Sequence, residues 1–344
     1  MGDRSPLIVE ERVAAFLDAR GLGDGPVRAT RIGEGGGSNF TFLLERGDER
    51  FVLRRPPRPP LPPSAHDMVR EAGLQEAIRA AGFRRLAEIV AVCEDDSVLG
   101  VPFYVMRYLD GHVITSELPT GLEDPAARHG LGLDLVDTLA EIHAADVAEP
   151  ALAALARTGS YLERQVRRFT QLWEINKTRE LPAVDRIAAW LANAVPDAQS
   201  PTVVHGDYRL GNMIVAPAEP SRILAVLDWE MGAIGDPRAD VGYLLATYSE
   251  PEGRESPLGT SPVTAHPGFP SRDELIERYV VRTGRSVEPL GWFEALALWK
   301  AAVFCEAIYG RFIRGELGAE DTRAARFEQG VPFLADAALT AAGL

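Results

Sequence analysis

A short apolar run, a polar loop and a second apolar run follow one another in VVHGDYRLGNMIV, which occupies residues 203–215. This pattern predicts two strands joined by the loop. The loop carries an aspartate and an asparagine five residues apart, Asp207 and Asn212. An aspartate in such a loop can accept the proton of an incoming hydroxyl group. We therefore take Asp207 as the candidate catalytic residue.

A second carboxylate follows the next apolar strand. The strand predicted over residues 222–227 comes after a six-residue turn and ends at Asp228. In a hairpin, the start of the first strand and the end of the second lie at the same edge. We expect Asn212 and Asp228 to converge there, and their oxygens are ligands that suit Mg²⁺. The spacing predicts a magnesium site formed by these two residues.

A glycine-rich segment, GEGGGS at residues 33–38, lies between two predicted strands. Glycine lets the backbone approach an anion closely, so that amides can point at phosphates. A strand rather than a helix follows, and no Gly-Lys-Ser/Thr ends the loop, which excludes the dinucleotide and P-loop patterns. Two interpretations remain: a hairpin tip over nucleotide phosphates, or a plain flexible turn. The first names as phosphate-binding residues Gly33, Gly35, Gly36, Gly37 and Ser38.

A basic and an acidic residue upstream of the loop of Asp207 are predicted to pair. Arg54 ends the strand FVLR, where kinases place a lysine that holds the α- and β-phosphates of ATP. Glu71 lies on the apolar stripe of a helix predicted over residues 67–81, and a buried carboxylate needs a partner. We predict that Arg54 is that partner. The alternative is an edge-strand surface arginine and a solvated glutamate.

Composition restricts the function classes further. The chain has 344 residues, a formal charge of −14 and only two lysines, Lys177 and Lys300, among its 36 basic residues. An acidic chain is a poor non-specific binder of nucleic acid, so we expect no nucleic-acid partner. We also expect no membrane span, because no run of eighteen apolar residues occurs, and no signal peptide, hence a cytoplasmic location. Two cysteines, Cys93 and Cys305, cannot build a disulfide framework.

The order of the predicted elements indicates an α+β protein with two lobes. A small β-rich lobe covers residues 1–106 and a larger, mostly helical lobe covers residues 107–344, and ligands favour the cleft in such an arrangement. The loop at 250–270 is interpreted as a lid or as simple disorder. Four aromatic residues near the end are interpreted as helix core or as an acceptor pocket: Trp292, Trp299, Phe304 and Tyr309. Helices are predicted over residues 6–20, 67–81, 161–176, 185–195 and from 272, and strands over residues 89–93, 101–108, 202–205, 213–215 and 223–227.

These motifs together resemble the aminoglycoside phosphotransferase family. The resemblance rests on HGD…N at 205–212, LDWE at 227–230 and GDP…D at 235–240, and it extends over roughly residues 27–315. The family has the protein-kinase fold and includes choline and homoserine kinases among its relatives. The resemblance implies that Asp207 is the catalytic aspartate and that Asp240 braces its loop through backbone hydrogen bonds.

The resemblance also implies a nucleotide site. Asn212 and Asp228 would hold Mg²⁺, and the segment YVMRYLDG at 104–111 is similar to the hinge where backbone groups near Arg107 and Leu109 would bond adenine. Arg54 stands where the family usually has lysine, and Glu71 would hold it. ATP and Mg²⁺ are therefore the expected cofactors.

Within the family, this chain looks most like a subgroup related to the kinase-like domain attached to some acyl-CoA dehydrogenases. The likeness rests on LRRPP at 53–57 and DWE at 228–230. The expected function is an ATP- and Mg-dependent phosphotransferase that moves the γ-phosphoryl group to a hydroxyl of a small molecule. The likeness favours a hydroxyacyl-CoA or similar metabolite as the acceptor. Two alternatives are kept: a nucleotide-binding regulator without transfer activity, and an aminoglycoside resistance kinase.

Overall fold

The computed structural model describes residues 6–33, 39–58, 66–251, 253, 255–316 and 325–344. The chain divides into two compact units. One, called here the sheet unit, comprises residues 1–110 and 225–230, and the other, the helical unit, comprises residues 111–224 and 231–344.

The sheet unit contains a five-stranded antiparallel sheet in the order β1-β2-β3-β5-β4. Its β2–β3 hairpin turns at Gly47, whose φ of +56° lies in the left-handed region that favours glycine. One face buries alternate residues of β2, among them Phe42 and Leu44. The strands are β1 (Arg28–Ile32), β2 (Phe40–Arg46), β3 (Glu49–Arg55), β4 (Ile89–Cys93) and β5 (Phe103–Arg107).

Three helices complete the sheet unit: α1 (Glu10–Asp18), α2 (Met68–Ala80) and α3 (Asp96–Leu99). The helix α2 begins where Asp67 accepts a hydrogen bond from the amide of Arg70, which satisfies one free donor of the first turn. The predicted first helix begins at residue 6, whereas α1 begins at Glu10. The difference has a packing cause: Leu7 and Ile8 lie against the apolar cluster of α1 and the sheet, and the Leu7 carbonyl accepts a bond from Arg55.

The helical unit holds the larger core. Long apolar helices surround a cluster that contains Trp173, Phe293 and the two tryptophans Trp292 and Trp299, all buried. The core interpretation of Trp292 and Trp299 is therefore correct. The helices are α4 (Pro125–His143), α5 (Pro150–Ala153), α6 (Tyr161–Asn176), α7 (Pro182–Asn193), α8 (Arg238–Thr247), α9 (Arg272–Thr283), α10 (Leu290–Ile313) and α11 (Phe327–Ala341).

Short strands flank the loop that carries Asp207 and the segment that leads to Asp228. Strand β7 (Thr202–Val204) pairs antiparallel with β10 (Ala233–Gly235). A three-stranded sheet has the order β6-β8-β9, formed by β6 (His112–Val113), β8 (Met213–Val215) and β9 (Ile223–Val226). The α+β organisation expected from the sequence, with a β-rich N-terminal part and a mostly helical remainder, is confirmed.

The described part of the 250–270 loop has internal structure. A 3₁₀ turn covers Pro262–Ala265, and the Ser256 hydroxyl donates to the carbonyl of Ala246 at 2.7 Å. The Thr264 hydroxyl accepts from the amide of Ser249 at 2.9 Å. Among the described residues, no helix combines the length and the apolar character that a membrane span requires.

Candidate active site

The loop that carries Asp207 leaves strand β7 through a tight glycine turn. Gly206 has φ of +84°, and a Cβ at this position would lie 2.9 Å from the Cβ of Met231 and 3.0 Å from its carbonyl oxygen. Only glycine fits this conformation and this close approach without movement of the neighbouring backbone. The turn fixes the direction in which the chain presents Asp207.

Asp240, in the first turn of α8, holds this loop through hydrogen bonds to its backbone. Its Oδ2 accepts the backbone amide of His205 at 2.7 Å, and its Oδ1 accepts that of Gly206 at 2.8 Å. His143 lies 3.3 Å from Oδ2 through Nε2 and 2.7 Å from the Tyr279 hydroxyl through Nδ1. Burial would raise the pKa of Asp240, but the His143 ring and the backbone donors outweigh it and lower the pKa. Asp240 is therefore a buried carboxylate anchored to backbone.

The carboxylate of Asp207 is held by three polar neighbours. The Asn212 side-chain amide donates to the Asp207 carbonyl and to its Oδ2, each at 2.8 Å. The Nε of Arg209 lies 3.5 Å from Oδ1, and the Tyr243 hydroxyl donates to the carboxylate. Burial and the charge of Asp207 raise the pKa of Tyr243, so the phenol keeps its proton. The structure brings Asp207 and Asn212 together and fixes the orientation of both.

In the sheet unit, Arg54 on β3 bridges two carboxylates. Its Nε lies 3.3 Å from Oε1 of Glu71, and its Nη2 lies 2.5 Å from Oδ1 of Asp228. The Tyr104 hydroxyl donates to Glu71 Oε1 at 3.1 Å and in turn lies 3.4 Å from Gln75 Nε2. The ion pair predicted between Arg54 and Glu71 is present, and Glu71 is 1 % exposed.

Burial and charge act in opposite directions on this group. Desolvation disfavours the charge of Arg54, but Glu71 and Asp228 outweigh it, so the pKa of Arg54 is raised. Burial raises the pKa of Glu71 to about 7, against the opposing effect of Arg54. Arg54 thus stays charged, while Glu71 is poised to change its protonation near neutral pH.

The segment around Asp228 contacts two other segments of the sheet unit, through Asn39 and His66. Asp228 has φ of +65°, rare for a residue other than glycine, and its side chain is 34 % exposed. Two residues later, Glu230 accepts a bond from Asn39 Nδ2 at 3.1 Å and lies 3.5 Å from His66 Nδ1. Backbone strain at a candidate metal ligand is a common feature of functional sites.

The glycine-rich segment is only partly described. Gly33 ends the described part of the hairpin with φ of +81°. A positive φ here is consistent with a tight turn. Gly35, Gly36, Gly37 and Ser38 lie outside the described residues.

At the predicted adenine position, the backbone amide of Arg107 donates to the carbonyl of Glu88 at 2.8 Å, and its side chain pairs with Glu49 at 2.6 Å. The Leu109 amide makes no backbone hydrogen bond to any other described residue.

Several residues of the site were not predicted as such. Tyr104 lies opposite Arg54 in the β3–β5 register, so knowledge of the strand pairing alone would have identified it. His143 and Tyr243 sit on helices whose sequences give no local signal of their contacts with Asp240 and Asp207. These contacts depend on helix packing, which sequence periodicity does not specify.

No group of three or more His, Cys, Asp or Glu side chains suited to a metal occurs among the described residues. A hard cation would instead be bound by oxygen atoms of separate side chains, such as those of Asn212 and Asp228. Because the side-chain nitrogen of Asn212 is committed to Asp207, its amide oxygen is the atom left to ligate. An all-oxygen set suits Mg²⁺.

Known proteins are similar in sequence to this chain over most of its length. The chain is 36 % identical over 294 residues to acyl-CoA dehydrogenase family member 11 of Gallus gallus, a match that covers 83 % of this chain and 37 % of that protein. The chain therefore spans little more than a third of that relative's length.

Two solved structures share the fold. A protein from Ralstonia eutropha assigned to the aminoglycoside phosphotransferases has a TM-score of 0.76 and 28 % identity, with 96 % of this chain and 98 % of that chain covered. A thermostable mutant of an aminoglycoside phosphotransferase, in ternary complex with AMP-PNP and hygromycin B, has a TM-score of 0.61 and 14 % identity, with the same coverage.

The family model described as the phosphotransferase enzyme family matches residues 29–275. This range includes the loop of Asp207 and Asn212, the Arg54–Glu71 pair and the brace at Asp240. The chain belongs to the phosphotransferase enzyme family.

Proposed function

We propose that the protein is a small-molecule kinase that transfers the γ-phosphoryl group of ATP to a hydroxyl group in a Mg²⁺-dependent reaction. The observation that carries the proposal is the anchored loop: Asp240 holds the backbone at His205 and Gly206, and Asn212 holds the carboxylate of Asp207. A carboxylate fixed in this way is pre-organised to orient a hydroxyl for attack.

In the proposed reaction, the acceptor oxygen forms a bond to the γ-phosphorus. The bond from that phosphorus to the β–γ bridging oxygen breaks, and ADP leaves with this oxygen. The proton of the hydroxyl passes to the carboxylate of Asp207. The Tyr243 hydroxyl and the Asn212 amide hold that carboxylate in place throughout, so most of the rate enhancement comes from positioning and electrostatics.

Asn212 and Asp228 would hold the magnesium ion through their side-chain oxygens. The fit rests on donor chemistry: Asn212 has its amide oxygen left, and Asp228 has a half-exposed carboxylate on a strained backbone. Bound Mg²⁺ would neutralise charge on the β- and γ-phosphate oxygens.

The nucleotide would be held by residues of the sheet unit. Arg54, fixed by Glu71, would contact the α- and β-phosphates, and arginine is suited to bidentate contacts with phosphate. The glycine segment, with Gly33, Gly35, Gly36, Gly37 and Ser38, would cover the phosphates. The Arg107 carbonyl and the Leu109 amide would bond adenine. That a fold neighbour was crystallised with AMP-PNP supports a nucleotide ligand.

The finer identity of the acceptor remains a proposal. A hydroxyacyl-CoA or a similar metabolite is favoured by the likeness to acyl-CoA dehydrogenase family member 11. We keep the aminoglycoside alternative, because a fold neighbour binds hygromycin B. A cytoplasmic location stays a prediction from sequence.

The test is ADP release and phosphorylated product, measured by mass spectrometry with the purified protein, Mg·ATP and a panel of hydroxyl compounds. We expect ADP and phosphorylated acceptor in equal amounts. Asp207→Asn serves as the matched control and should lower both at least about 100-fold. Nucleotide binding with no turnover on any acceptor would contradict the proposal and favour a nucleotide-binding regulator. That second function is suggested by Arg54, which replaces lysine and pairs directly with Asp228.

A further inference from the structure

Lys300 is a buried lysine without a carboxylate partner. It lies in the middle of α10 and is 9 % exposed, and among the described residues no acidic group comes within ion-pair distance of it. The other lysine, Lys177, is by contrast paired on the surface with Glu174 at 3.0 Å. A buried ammonium is costly unless it is paired. The helix therefore places a cation where packing alone would favour an apolar residue.

An aromatic ring of α6 contacts Lys300. Its Nζ lies 4.8 Å from the ring centre of Phe169 on α6, a cation–π contact that offsets part of the cost of burial. Gln165 lies one turn earlier on the same face of α6, and its buried Oε1 has no hydrogen-bond partner among the described residues. Phe169 thus contacts a cation that has no carboxylate partner, and an amide oxygen without a hydrogen-bond partner belongs to the residue one turn earlier on α6.

An apolar surface continues from this point. Phe304 follows Lys300 by one turn on α10, is 41 % exposed, and packs edge-on against Phe169 at 5.0 Å. Ile308, a further turn along, is 39 % exposed. Lys300 therefore places a charge at the buried end of an apolar stripe on α10, whose other members, Phe304 and Ile308, are partly exposed.

Two carboxylates of the proposed catalytic loop and its anchor, Asp207 and Asp240, contribute to the electrostatics of Lys300. Burial lowers the pKa of Lys300 to about 8, while Asp240 and Asp207 raise it and Arg168 lowers it. The amine is therefore protonated at neutral pH. Asp240 is occupied by two backbone amides and His143, and Asp207 by Asn212 and Tyr243, so neither serves as a dedicated partner of Lys300.

We infer that Lys300 binds an anionic group of the acceptor whose hydroxyl is phosphorylated at Asp207, with the apolar part of that acceptor against Phe169 and Phe304. The inference rests on the proposed function and gives its substrate a class: a small amphiphilic hydroxy compound that carries a carboxylate or a phosphate. A polycationic aminoglycoside is disfavoured, because its ammonium groups would meet a buried cation of the same sign.

The first test compares acceptors that differ only in charge. The probes are ω-hydroxy carboxylates of increasing length, the diols of equal length, and glycerol phosphate as the phosphate-bearing arm. The wild type should prefer an anionic probe over the diol of matched length, and Lys300→Met should lose about 10- to 100-fold in kcat/KM for that probe, as for a charge-assisted hydrogen bond. Diol turnover should change little.

Two variants separate charge from structure. Lys300→Arg keeps the cation and should restore part of the activity lost in Lys300→Met. Lys177→Met removes the surface lysine and should match the wild type. Equal kcat/KM for carboxylates and diols in the wild type, unchanged in Lys300→Met, would overturn the inference while leaving the kinase proposal intact.

The second test needs no turnover. Protein labelled selectively with ¹⁵N-lysine has two side-chain Nζ groups, and Lys177→Arg assigns them. We expect the Lys300 signal to shift on addition of ω-hydroxy carboxylate or glycerol phosphate, and not on addition of diol. A response, together with no phosphoryl transfer to these probes or to any acceptor of the hydroxyl panel, would support the anion site and contradict the kinase proposal. No response to either anion, at concentrations that support turnover, would overturn the inference.

Discussion

Two charged groups in this protein are built in different ways. In the sheet unit, Arg54 is held between Glu71 and Asp228 by side chains alone. In the helical unit, Asp240 is held by two backbone amides and a histidine, and the loop it anchors carries Asp207. Side-chain ion pairs can rearrange when a ligand brings its own charges, whereas a backbone anchor fixes a loop before any ligand binds. The proposed nucleotide-binding group is thus the adaptable one, and the proposed catalytic loop is the rigid one.

The largest effect on turnover is expected for Asp207, which the rigid loop carries. Asp207→Asn keeps the size of the side chain but removes the proton acceptor, and turnover should fall at least about 100-fold, equivalent to about 2.7 kcal/mol of barrier. Steady-state ADP release measures the loss, and thermal unfolding should show an intact fold. Turnover close to the wild type would remove Asp207 from its proposed role.

The anchor itself should matter for stability. Asp240→Asn offers an amide nitrogen where the carboxylate accepts the His205 or Gly206 amide, so at least one buried donor loses its partner. We expect a loss of about 2–3 kcal/mol in the free energy of unfolding, measured by urea denaturation.

The matched control for the anchor is Asp137→Asn, since Asp137 pairs with the exposed arginines Arg278 and Arg282. Such a pair contributes less than about 1 kcal/mol. Equal losses in the two variants would mean that Asp240 is no more important to folding than a surface ion pair.

Breaking the adaptable clamp should cost less. Arg54→Met leaves Glu71 buried without its cation, but Glu71 can take up a proton, so we expect a loss of about 1–2 kcal/mol in unfolding free energy. The affinity for ATP should weaken at the same time, as measured by calorimetry, because a phosphate contact is lost. Arg54→Lys keeps a charge and should lie between Arg54→Met and the wild type in both measurements. An unchanged ATP affinity in Arg54→Met would exclude Arg54 from nucleotide binding.

The last expectation concerns pH. Because the pKa of Glu71 is raised to about 7, the folded state keeps a proton on Glu71 that the unfolded chain loses near pH 4.5. The contribution of Glu71 to stability is therefore present below pH 4.5 and is lost as the pH rises towards 7. Glu71→Gln removes this titration, so the stability of the wild type relative to Glu71→Gln should decline between pH 5 and pH 7.5. Exposed Glu76→Gln is the control, and parallel curves for wild type and Glu71→Gln would contradict the expectation.

Much of this arrangement follows from local sequence. The polar loop between two apolar runs predicted the positions of Asp207 and Asn212, and the apolar stripe on α2 predicted that Glu71 is buried and needs Arg54. Both inferences use spacing within a few residues, where strand and helix periods are reliable. The strand β4 and the helix α6 have the predicted bounds for the same reason.

What could not be predicted depends on contacts between distant elements. The pairing of Arg54 with Asp228 joins residues 174 positions apart, and the bond from His143 to Asp240 joins two helices. The start of α1 at Glu10 depends on the packing of Leu7 and Ile8, which helix periodicity does not reveal. Lys300 gave no signal either, since its apolar sequence neighbours indicate only a buried helix.

The most direct test of the account is the Mg²⁺ dependence of phosphoryl transfer in Asn212→Ala, Asp228→Asn and the double variant. If both oxygens ligate one ion, each single substitution should raise the Mg²⁺ concentration for half-maximal rate at least about tenfold, and the double variant should shift by less than the product of the two. A shift confined to one variant, or independent multiplicative shifts, would contradict a shared magnesium ion.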